Sequence, residues 1–560
     1  MSNDGNSPPA TARSATAPWQ PSPAASALVQ RCLTTARTHG TPSALDALCA
    51  GLRTEHAQSW LDCARLLLQL GQPALAAALL DRAGAAGLAP AHASYWLAQA
   101  LWQAGDADRA EAQLRSVLAA AVDNDAAVLL AQLLRAQGRF NAAVAAMQLG
   151  MDAPDADHAR LMRVVQFVRE CQRQDVGLVL CDLALAKRDT DPELHALAGN
   201  LAQELGQFDA AERHYRAALA QGVDLNRWFV LHSLAMLKRF STSGDADLEL
   251  LRVHAHDLAL TPVARASVLF ALGKARDDVG DFAAAAIAWR AANRLRRASA
   301  QWSRSNWKAW LAARLTARQM PAIVDADRSM CPIFVVGMPR TGTTLVAQWL
   351  GGQAQVCNRG ESPTLPYLAE RLATVDAPQL PSAISEAAAL YRALAQRDDP
   401  PVQWYVDKNP LNWRYLDAVV AMFPHAHVVV CQRDRRDTAL SIWSQSFAHA
   451  DYAFAAEFAD IAAVADGFER LLAHWRHTLP LAIHTVDYEQ LVRDPQRSME
   501  WLCAQIGLDR PEPAHAATDP GGVITSASQW QARQPVHTRS IGRSRRYARF
   551  LPEMDRWFKQ

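Results

Sequence analysis

The residues best suited to chemistry begin at a glycine loop, Gly337-Met-Pro-Arg-Thr-Gly-Thr-Thr344. Four residues separate Gly337 from Gly342, as in a phosphate-binding P-loop, but Thr343 stands where such loops carry lysine. That lysine normally reaches the β- and γ-phosphates of a nucleoside triphosphate. We therefore expect a shorter anion chain, held by backbone N–H groups, two Thr hydroxyls and Arg340. The alternative is an ordinary strand-to-helix turn.

Two more charged residues stand at the ends of predicted strands. Glu361 lies between a glycine and a Ser-Pro pair, a pattern that indicates a strand-to-helix turn. Lys408 ends an extended run before Asn409-Pro410, and a lysine at the carboxyl end of a parallel strand points toward bound ligands. Structural roles are the alternatives. Glu361 would then cap a helix, and Asp407 would hold Lys408 in a salt bridge.

A second anion site is predicted after the buried apolar run that ends near residue 432. Three arginines occupy four consecutive positions, starting with Arg433, and Ser441 follows eight residues later. The pattern predicts a helix capped by Asp437 or Thr438, with Ser441 in its first turn. The alternative is a solvated charged turn, which suits the second and third arginines best.

The segments around these residues predict an open α/β sheet that would position them. The apolar run from Ile333 to Val336 predicts a strand, and the periodic apolar residues after Leu345 predict a helix. Neither anion site has a P-loop lysine, and about 90 residues of sequence separate them. Two such sites fit a nucleotide that carries phosphates at both ends of its ribose, whereas ATP offers one phosphate chain.

The loop Gly-Met-Pro-Arg-Thr-Gly-Thr-Thr resembles the 5′-phosphosulfate loop of sulfotransferases that use 3′-phosphoadenosine-5′-phosphosulfate (PAPS). The resemblance covers roughly residues 330–550 and is strongest to tyrosylprotein sulfotransferases. It implies PAPS as co-substrate and no metal. The resemblance implies that the 5′-phosphosulfate is bound by the loop residues Pro339, Arg340, Thr341, Gly342, Thr343 and Thr344.

The resemblance also implies roles for the other charged residues. Glu361 corresponds to the family's general base, and Lys408-Asn-Pro410 to its Lys-x-Pro segment, which makes Glu361, Arg340 and Lys408 the expected catalytic residues. Arg433 and Ser441 correspond to the pair that binds the 3′-phosphate. The basic C-terminal stretch resembles the segment that closes over the nucleotide, and by that match Ser528 and Arg543 contact it. Ser544 departs from the pattern, because related sequences often have Trp there.

The first half of the chain, from about residue 27 to 300, predicts helix after helix, because it is rich in Ala and Leu with short polar breaks. The breaks recur at one interval, since Gly71, Gly105, Gly138 and Gly206 are 34, 33 and 68 residues apart. These glycines are markers of the repeat, and the marker expected 34 residues after Gly138 is replaced by Gln172. A small residue follows each marker position five residues later. The same holds at Gly280, where the extra six residues point to an insertion at 241–245.

This period resembles tetratricopeptide repeats (TPR), which stack antiparallel helix pairs into a superhelix. The resulting fold class is an all-α TPR-like solenoid followed by a P-loop-like α/β domain with a parallel sheet. We predict a disordered tail over 1–26, repeats over 27–300, a connecting segment over 301–329 and the sulfotransferase domain over 330–560. A solenoid offers a concave surface for a peptide or protein partner. The alternatives are an unspecialised helical bundle and a scaffold that only steadies the other domain.

Composition excludes several classes of protein. The formal net charge is +1, with 57 basic and 56 acidic residues, so nothing global favours nucleic acid or an acidic membrane surface. Nine cysteines are scattered without metal-ligand spacing, which indicates a reducing compartment and no zinc site. No signal peptide or membrane-length apolar run is apparent. We expect a soluble cytoplasmic protein.

The sequence leaves the acceptor and two other functions open. The acceptor carries a hydroxyl, which a peptide tyrosine, a sugar or another compound could supply. A TPR protein that senses a nucleotide without catalysis is one alternative, and it would have no need of a base at Glu361. A P-loop-type kinase is the other, and Thr343 at the lysine position argues against it.

Overall fold

The computed structural model of the protein describes residues 19–53, 56–84, 90–121, 123–149, 158–187, 190–299, 301–317, 320–322, 328–447, 449–508 and 533–558. The chain divides into two compact units. One consists of Met1–Cys171 with Arg397–Asp399, and the other of Gln172–Gln396 with Pro400–Gln560. The predicted tail falls mostly on residues outside the described ranges, and the first helix begins at Pro23.

The described part of the first unit is built from helices. They are α1 Pro23–His39, α2 Thr41–Leu52, α3 Ala57–Gln69, α4 Pro73–Ala83, α5 Pro90–Gln103, α6 Ala107–Ala120, α7 Asn124–Ala136, α8 Phe140–Gln148 and α9 His158–Glu170.

Helices also open the second unit. They are α10 Gln174–Leu185, α11 Pro192–Leu205, α12 Phe208–Ala220, α13 Val230–Met236, α14 Ala246–His254, α15 Pro262–Asp278, α16 Phe282–Ser299 and α17 Arg304–Thr316. The predicted helical first half is therefore confirmed, while its classification as a TPR solenoid stays a prediction.

The predicted register has a backbone counterpart at all six marker positions. Each marker has a positive φ, which lets the chain reverse after a helix: 69° at Gly71, 92° at Gly105, 80° at Gly138, 56° at Gln172, 81° at Gly206 and 86° at Gly280. The small residue five positions later is buried in every case, at Ala76, Ala110, Ala143, Gly177, Ala211 and Ala285. A missing side chain beyond Cβ allows two helices to approach closely.

The predicted insertion at 241–245 falls in an irregular part of the chain. Residues 237–245 form no regular helix between the short helices α13 and α14. Phe240 anchors this segment, because its ring is buried and its N–H donates to Asp278 Oδ2 at 3.2 Å. Lys274 Nζ donates to the Ala235 carbonyl at the end of α13 at 3.0 Å. Both bonds involve side chains of α15, which therefore holds the irregular segment and the end of α13.

The second unit contains a five-stranded sheet in which every pair of neighbouring strands is parallel. The strand order is β2-β3-β1-β4-β5. The strands are β1 Cys331–Gly337, β2 Val356–Asn358, β3 Trp404–Asp407, β4 His427–Gln432 and β5 Ala482–Asp487. The predicted parallel α/β sheet is thus confirmed. Because β1 lies between β3 and β4, the chain order reverses at its carboxyl end, where open α/β sheets bind ligands.

Helices and 3₁₀ turns connect and cover the strands. The helices are α18 Thr343–Gly351, α19 Thr364–Leu372, α20 Leu380–Gln396, α21 Leu416–Met422, α22 Arg435–Trp443, α23 Phe458–Thr478, α24 Tyr488–Arg493, α25 Pro495–Ile506 and α26 Pro552–Asp555. The 3₁₀ turns are Pro410–Tyr415, Ala450–Ala456, Thr538–Ser540 and Arg543–Tyr547.

Alternate residues of β1 enter two different hydrophobic layers, as expected for a strand buried on both faces. Ile333 and Val335 face one layer, and Phe334 and Val336 face the other. The second layer also contains buried side chains of α15, α16 and α17, namely Phe270, Trp289, Trp307 and Leu311. A cut within the predicted connecting segment, 301–329, would therefore divide one hydrophobic core.

Candidate active site

Two glycines shape the loop between β1 and α18. Gly337 has φ 155°, and a Cβ there would lie 2.5 Å from the Cys431 carbonyl oxygen at the end of β4. Gly342 has φ 95°, and a Cβ there would lie 2.7 Å from the ring of Tyr488. Real Cβ atoms do not approach that closely, so both positions require glycine. Inside the loop, the buried Thr341 hydroxyl donates to the Met338 carbonyl at 2.8 Å.

The structure brings the two predicted anion sites together. Arg340 lies in the loop with φ 71°, and its Nε donates to Ser441 Oγ at 3.2 Å. Arg433 Nη1 donates to the Arg340 carbonyl oxygen at 3.1 Å. About 90 residues of sequence separate these partners, yet the side-by-side pairing of β1 and β4 makes their following loops neighbours. The sites form one continuous cationic surface.

Electrostatics indicate that this surface suits an anion. The pKa of Arg340 is lowered to about 10, mainly because burial disfavours its charged form and then because Arg433 and Arg543 are like charges nearby. Arg433 Nε is buried and has no hydrogen-bond partner among the described residues. The Arg433 guanidinium also lies over the Tyr488 ring, 4.6 Å from its centroid. A bound anion would offset the repulsion among these arginines.

The helix that carries Ser441 begins earlier than predicted. Asp434 is its N-cap and accepts from the backbone N–H of Arg436 and Asp437, at 3.0 and 2.9 Å. The prediction of Asp437 or Thr438 as cap is therefore wrong, because the turn after β4 is only two residues long. Ser441 consequently lies in the second turn of α22.

The other two arginines of this turn pair with other residues of the chain, and only Arg435 is exposed as the solvated alternative expected, since Arg436 is largely buried. Arg435 pairs with Asp466 and Glu469. Arg436 pairs with Asp555 and donates to the Phe558 carbonyl at 2.8 Å. Of the three arginines, Arg433 is therefore the one directed toward the loop.

Asp437 has a different role, which sequence reasoning missed. Its buried carboxylate accepts two backbone N–H groups of the C-terminal segment, from Gly542 at 2.5 Å and from Ser544 at 2.7 Å. Arg433 Nη2 donates to the Ser540 carbonyl of the same segment at 2.7 Å. The C-terminal segment is thus fixed beside the anion surface. The burial of Asp437 gave no signal in the sequence, where it reads as one more charge in a charged turn.

Arg543 connects this segment to the helical part of the same unit. Its Nη2 donates to Asp277 Oδ2 of α15 at 3.0 Å, and the Tyr547 hydroxyl donates to the other oxygen at 2.5 Å. Arg543 is also close enough to Arg340 to influence its pKa. Ser528, the other residue predicted in this segment, lies outside the described residues.

Glu361 and Lys408 meet on the opposite side of β1 from Arg433. Lys408 Nζ forms an ion pair with Glu361 Oε1. The backbone explains the pairing, because Arg359 N donates to the Val406 carbonyl and Lys408 N to the Gly360 carbonyl, both at 2.8 Å. These bonds extend the β2–β3 ladder by one step. Lys408 is buried, whereas 29% of the Glu361 side chain is exposed.

Asp407 does not hold Lys408, contrary to the structural alternative for that lysine. The Asp407 carboxylate accepts from the Tyr391 hydroxyl at 2.8 Å and from Asn412 Nδ2 at 3.0 Å. Burial raises the pKa of Asp407 to about 7, although both donors and Lys408 lower it. Successive strand residues point to opposite faces. Asp407 therefore enters the core while Lys408 reaches the carboxylate of Glu361.

None of the described helices is both long and apolar enough to cross a membrane. Within the same residues, no three His, Cys, Asp or Glu side chains converge as metal ligands do.

Residues 332–512 match the model of the sulfotransferase family. A curated relative from Aquifex aeolicus (strain VF5), described as an uncharacterized protein, is 30% identical over 239 residues, or 39% of this chain. The match spans 31% of that relative, about a third of its length.

Three solved structures similar to this chain are described as sulfotransferases or sulfotransferase domains. The sulfotransferase domain of the Synechococcus PCC 7002 olefin synthase has a TM-score of 0.29 and 17% identity, covering 41% of this chain and 91% of its own. The sulfotransferase domain from the curacin biosynthetic pathway has a TM-score of 0.27 and 17% identity, and the match covers 42% of this chain and 99% of that domain. Sulfotransferase STF1 from Mycobacterium tuberculosis H37Rv has a TM-score of 0.23 and 17% identity, and the match covers 57% of this chain and 97% of STF1.

Proposed function

We propose that the protein transfers a sulfuryl group from PAPS to an acceptor hydroxyl. The observation that carries the proposal is the contact between Arg340 and Ser441, which joins a lysine-free phosphate loop to a second cationic site. The ion pair of Glu361 and Lys408 lies at the same edge of the sheet. A match of residues 332–512 to the sulfotransferase family supports this reading.

The nucleotide would bind across the carboxyl ends of β1 and β4. Backbone N–H groups at the start of α18 and the hydroxyls of Thr343 and Thr344 suit the 5′-phosphosulfate, because a helix N-terminus favours anions. Arg433 and Ser441 suit the 3′-phosphate. Charge-assisted bonds from a guanidinium are the strong kind of hydrogen bond, and they would distinguish a 3′-phosphate from a 3′-hydroxyl.

The transfer is a direct in-line displacement at sulfur. A bond forms between the acceptor oxygen and sulfur, while the bond between sulfur and the bridging phosphate oxygen breaks, leaving 3′,5′-adenosine diphosphate. The acceptor proton passes to the Glu361 carboxylate, because a neutral hydroxyl is a weak nucleophile until a base accepts its proton. Lys408 and Arg340 stabilise the charge that grows on the bridging oxygen and the transferred group.

The ion pair is compatible with both roles. The Lys408 ammonium forms an ion pair with Glu361 Oε1, so the candidate base and the charge-stabilising cation lie side by side. The buried lysine and the partly exposed carboxylate also differ in access, since 4% and 29% of their side chains are exposed. An acceptor would therefore meet Glu361 first, with Lys408 behind it toward the sheet.

The helical array would recruit the acceptor or a partner protein. The six marker positions support a regular array of helix pairs, and stacked pairs offer an extended surface. A protein tyrosine is the acceptor suggested by the resemblance to tyrosylprotein sulfotransferases, and a small hydroxyl compound is the other class.

The contact of Arg543 with Asp277 favours a second candidate function, a nucleotide sensor without catalysis. In that case nucleotide binding beside Arg340 would be transmitted through Arg543 to α15. A sensor has no use for a base, so it does not require Glu361 to act as one.

The experiment is incubation with ³⁵S-labelled PAPS and a cell extract, together with thermal unfolding in the presence of nucleotides. We expect label to appear in an acceptor, and 3′,5′-adenosine diphosphate to raise the Tm without metal while ATP raises it little, because a ligand bound only to the native state stabilises it. Nucleotide stabilisation without any transfer would favour the sensor. Mg²⁺-dependent stabilisation by ATP would favour a kinase.

A further inference from the structure

Asp407 is a buried carboxylate directly beside the candidate catalytic lysine. It is the last residue of β3, and only 2% of it is exposed. The next residue, Lys408, reaches Glu361 on the opposite face of the strand. The proposed transfer uses Lys408 and Glu361 and gives Asp407 no part. The hydrogen bonds of Asp407 indicate what a carboxylate contributes at this place.

Asp407 closes a short loop that contains Lys408. Asn412 Nδ2 donates to Asp407 Oδ1 at 3.0 Å, so the two end residues of the segment 407–412 are joined through their side chains. The backbone tightens the same segment, because Asn412 N donates to the Asn409 carbonyl at 3.0 Å. Lys408 therefore lies inside a closed turn, which we call the 407–412 loop.

The other carboxylate oxygen of Asp407 is held by a helix. Tyr391 of α20 donates its hydroxyl to Asp407 Oδ2 at 2.8 Å. The Tyr391 ring is itself packed against Phe334 and Phe423, with centroids 5.8 and 5.1 Å away. Burial and the neighbouring carboxylate raise the pKa of Tyr391 well above its ordinary value, so its hydroxyl remains a donor. Asp407 consequently ties the 407–412 loop to α20.

Lys408 is held on its other side by the loop that carries Glu361. The Lys408 N–H donates to the Gly360 carbonyl at 2.8 Å, and the ammonium pairs with Glu361 Oε1. The Lys408 backbone is thus fixed between the Glu361 loop and the Asp407 side chain. A lysine side chain is a flexible four-carbon stem. The position of its ammonium therefore depends on how firmly its backbone is held.

Folding stability does not account for a carboxylate at position 407. Burial raises the pKa of Asp407 to about 7, so the ionised form is disfavoured in the folded protein even though Tyr391, Lys408 and Asn412 favour it. Asn412 Oδ1 is also buried and has no hydrogen-bond partner among the described residues, which is a second cost. Well-packed apolar residues of similar volume would avoid both costs. Departures of this kind are typical of residues retained for function.

We infer that Asp407 is a positioning residue, which holds the 407–412 loop so that the Lys408 ammonium stays beside Glu361. This role rests on the proposed function, in which the ammonium stabilises charge on the bridging oxygen. Both partners of Asp407 are donors, Tyr391 and Asn412. A carboxylate accepts at both oxygens, whereas an amide of the same shape presents a donor at one of them. The Asp407 network, consisting of these three side chains, therefore requires an acid and not its amide.

The test changes one hydrogen bond at a time in the full-length protein. Asp407→Asn keeps the shape of the side chain and turns a donor toward Tyr391 or Asn412. Tyr391→Phe removes one donor and leaves the carboxylate. Tyr405→Phe is the matched control, because Tyr405 is also a buried tyrosine, and its hydroxyl accepts from Val402 N at 3.2 Å outside the network.

Two rates report on Lys408. Trace acetylation with acetic anhydride, read by mass spectrometry with 3′,5′-adenosine diphosphate bound, measures how often the Lys408 ammonium leaves Glu361. Single-turnover transfer from ³⁵S-labelled PAPS to acceptors in the cell extract measures the chemical step. Thermal unfolding and calorimetric binding of 3′,5′-adenosine diphosphate report separately on the fold and on the nucleotide site.

In Asp407→Asn we expect acetylation of Lys408 to rise and transfer to slow, each by about 2- to 10-fold, as the loss of one hydrogen bond implies. Tyr391→Phe should change both rates in the same direction, and Tyr405→Phe should change neither. Affinity for 3′,5′-adenosine diphosphate should stay near wild type, because the network contacts neither anion site. A residue needed only for stability would lower the Tm and leave both rates unchanged.

The outcomes separate this role from the proposed function. Faster acetylation of Lys408 in both network variants, with no label transferred by the wild type, would refute the transfer and support the positioning role. Transfer by the wild type, with both rates unchanged in Asp407→Asn and Tyr391→Phe, would refute the positioning role and support the transfer. If Asp407→Asn does not fold, Tyr391→Phe decides, and wild-type acetylation of Lys408 in that variant would overturn the positioning role.

Discussion

The helical array and the carboxyl edge of the sheet place residues by different means. In the array one local geometry recurs, so markers such as Gly71 and Gly105 share a positive φ and can be found by counting. At the sheet edge each residue is different, and the partners Arg340 and Ser441 meet only because β1 pairs with β4. A repeat is therefore visible in one sequence by its period, whereas a site is visible only through the chemistry of its residue types.

Gln172 belongs to both patterns. It holds the marker position with φ 56°, which is unfavourable for a residue with a Cβ. Its Nε2 also donates to the Arg359 carbonyl at 3.4 Å, two residues before Glu361. Gln172, the marker position without a glycine, therefore contacts the loop that leads to Glu361 through its side chain. A departure from a repeat can mark a place where another constraint applies.

The largest effect is expected at the base. Glu361→Gln keeps the size of the side chain but removes its basicity, so turnover should fall by about 10²–10⁴ while nucleotide affinity stays near wild type. Single-turnover transfer from labelled PAPS and calorimetric binding of 3′,5′-adenosine diphosphate measure the two quantities. Glu386→Gln, on the exposed face of α20, is the matched control. Full activity of the Glu361 variant would identify Glu361 as a helix-terminal residue and require another base.

The sequence predicted the parallel sheet, the loop and the regular array because each depends on local patterns. Buried β-branched runs, glycine spacing and a fixed period all lie within a few dozen residues. It missed Asp437 and Asp277, since their partners in the C-terminal segment are about 100 and 270 residues away. It also misplaced the cap of α22, because Asp434, Asp437 and Thr438 are all acceptable caps and only the length of the turn decides.

The second effect tests the pairing of the two anion sites. Arg433→Ala should remove most of the preference for 3′,5′-adenosine diphosphate over AMP, a loss of about 10- to 100-fold in relative affinity. Competition binding without metal measures the ratio. Arg435→Ala, two residues later in an outward ion pair, should leave the ratio intact. An unchanged ratio in the Arg433 variant would mean that the 3′-phosphate binds elsewhere.

A smaller effect is expected where the C-terminal segment is fixed. Asp437→Asn retains one acceptor but turns an amide donor toward a backbone N–H, so one of the bonds to Gly542 and Ser544 is lost. We expect affinity for 3′,5′-adenosine diphosphate to fall by up to about tenfold, because a charged hydrogen bond contributes about 1.5 kcal/mol or more. Trypsin cleavage within 539–549 should become faster.

Asp466→Asn is the control for this experiment, since Asp466 pairs only with the exposed Arg435 among the described residues. Wild-type affinity and protease resistance in the Asp437 variant would show that the segment is held by its other contacts. These include the pair of Arg543 with Asp277 and the bond from Arg433 to the Ser540 carbonyl.

The smallest effect separates the two constraints at Gln172. Gln172→Gly restores the residue that the turn favours, and relief of the left-handed conformation should stabilise the fold by about 0.5–1 kcal/mol. The same change removes the bond to the Arg359 carbonyl, so the loop before Glu361 should be less well held and kcat should fall a few-fold. Thermal unfolding and steady-state transfer assays measure the two changes.

The reverse substitution, Gly105→Gln, imposes the strain where a Cβ would meet nothing within 4 Å, so it should lower the Tm without changing kcat. If Gln172→Gly stabilises the protein and leaves kcat unchanged, the lost glycine has no catalytic counterpart. A variant with a higher Tm and a lower kcat would show that Gln172 supports catalysis at the expense of folding stability.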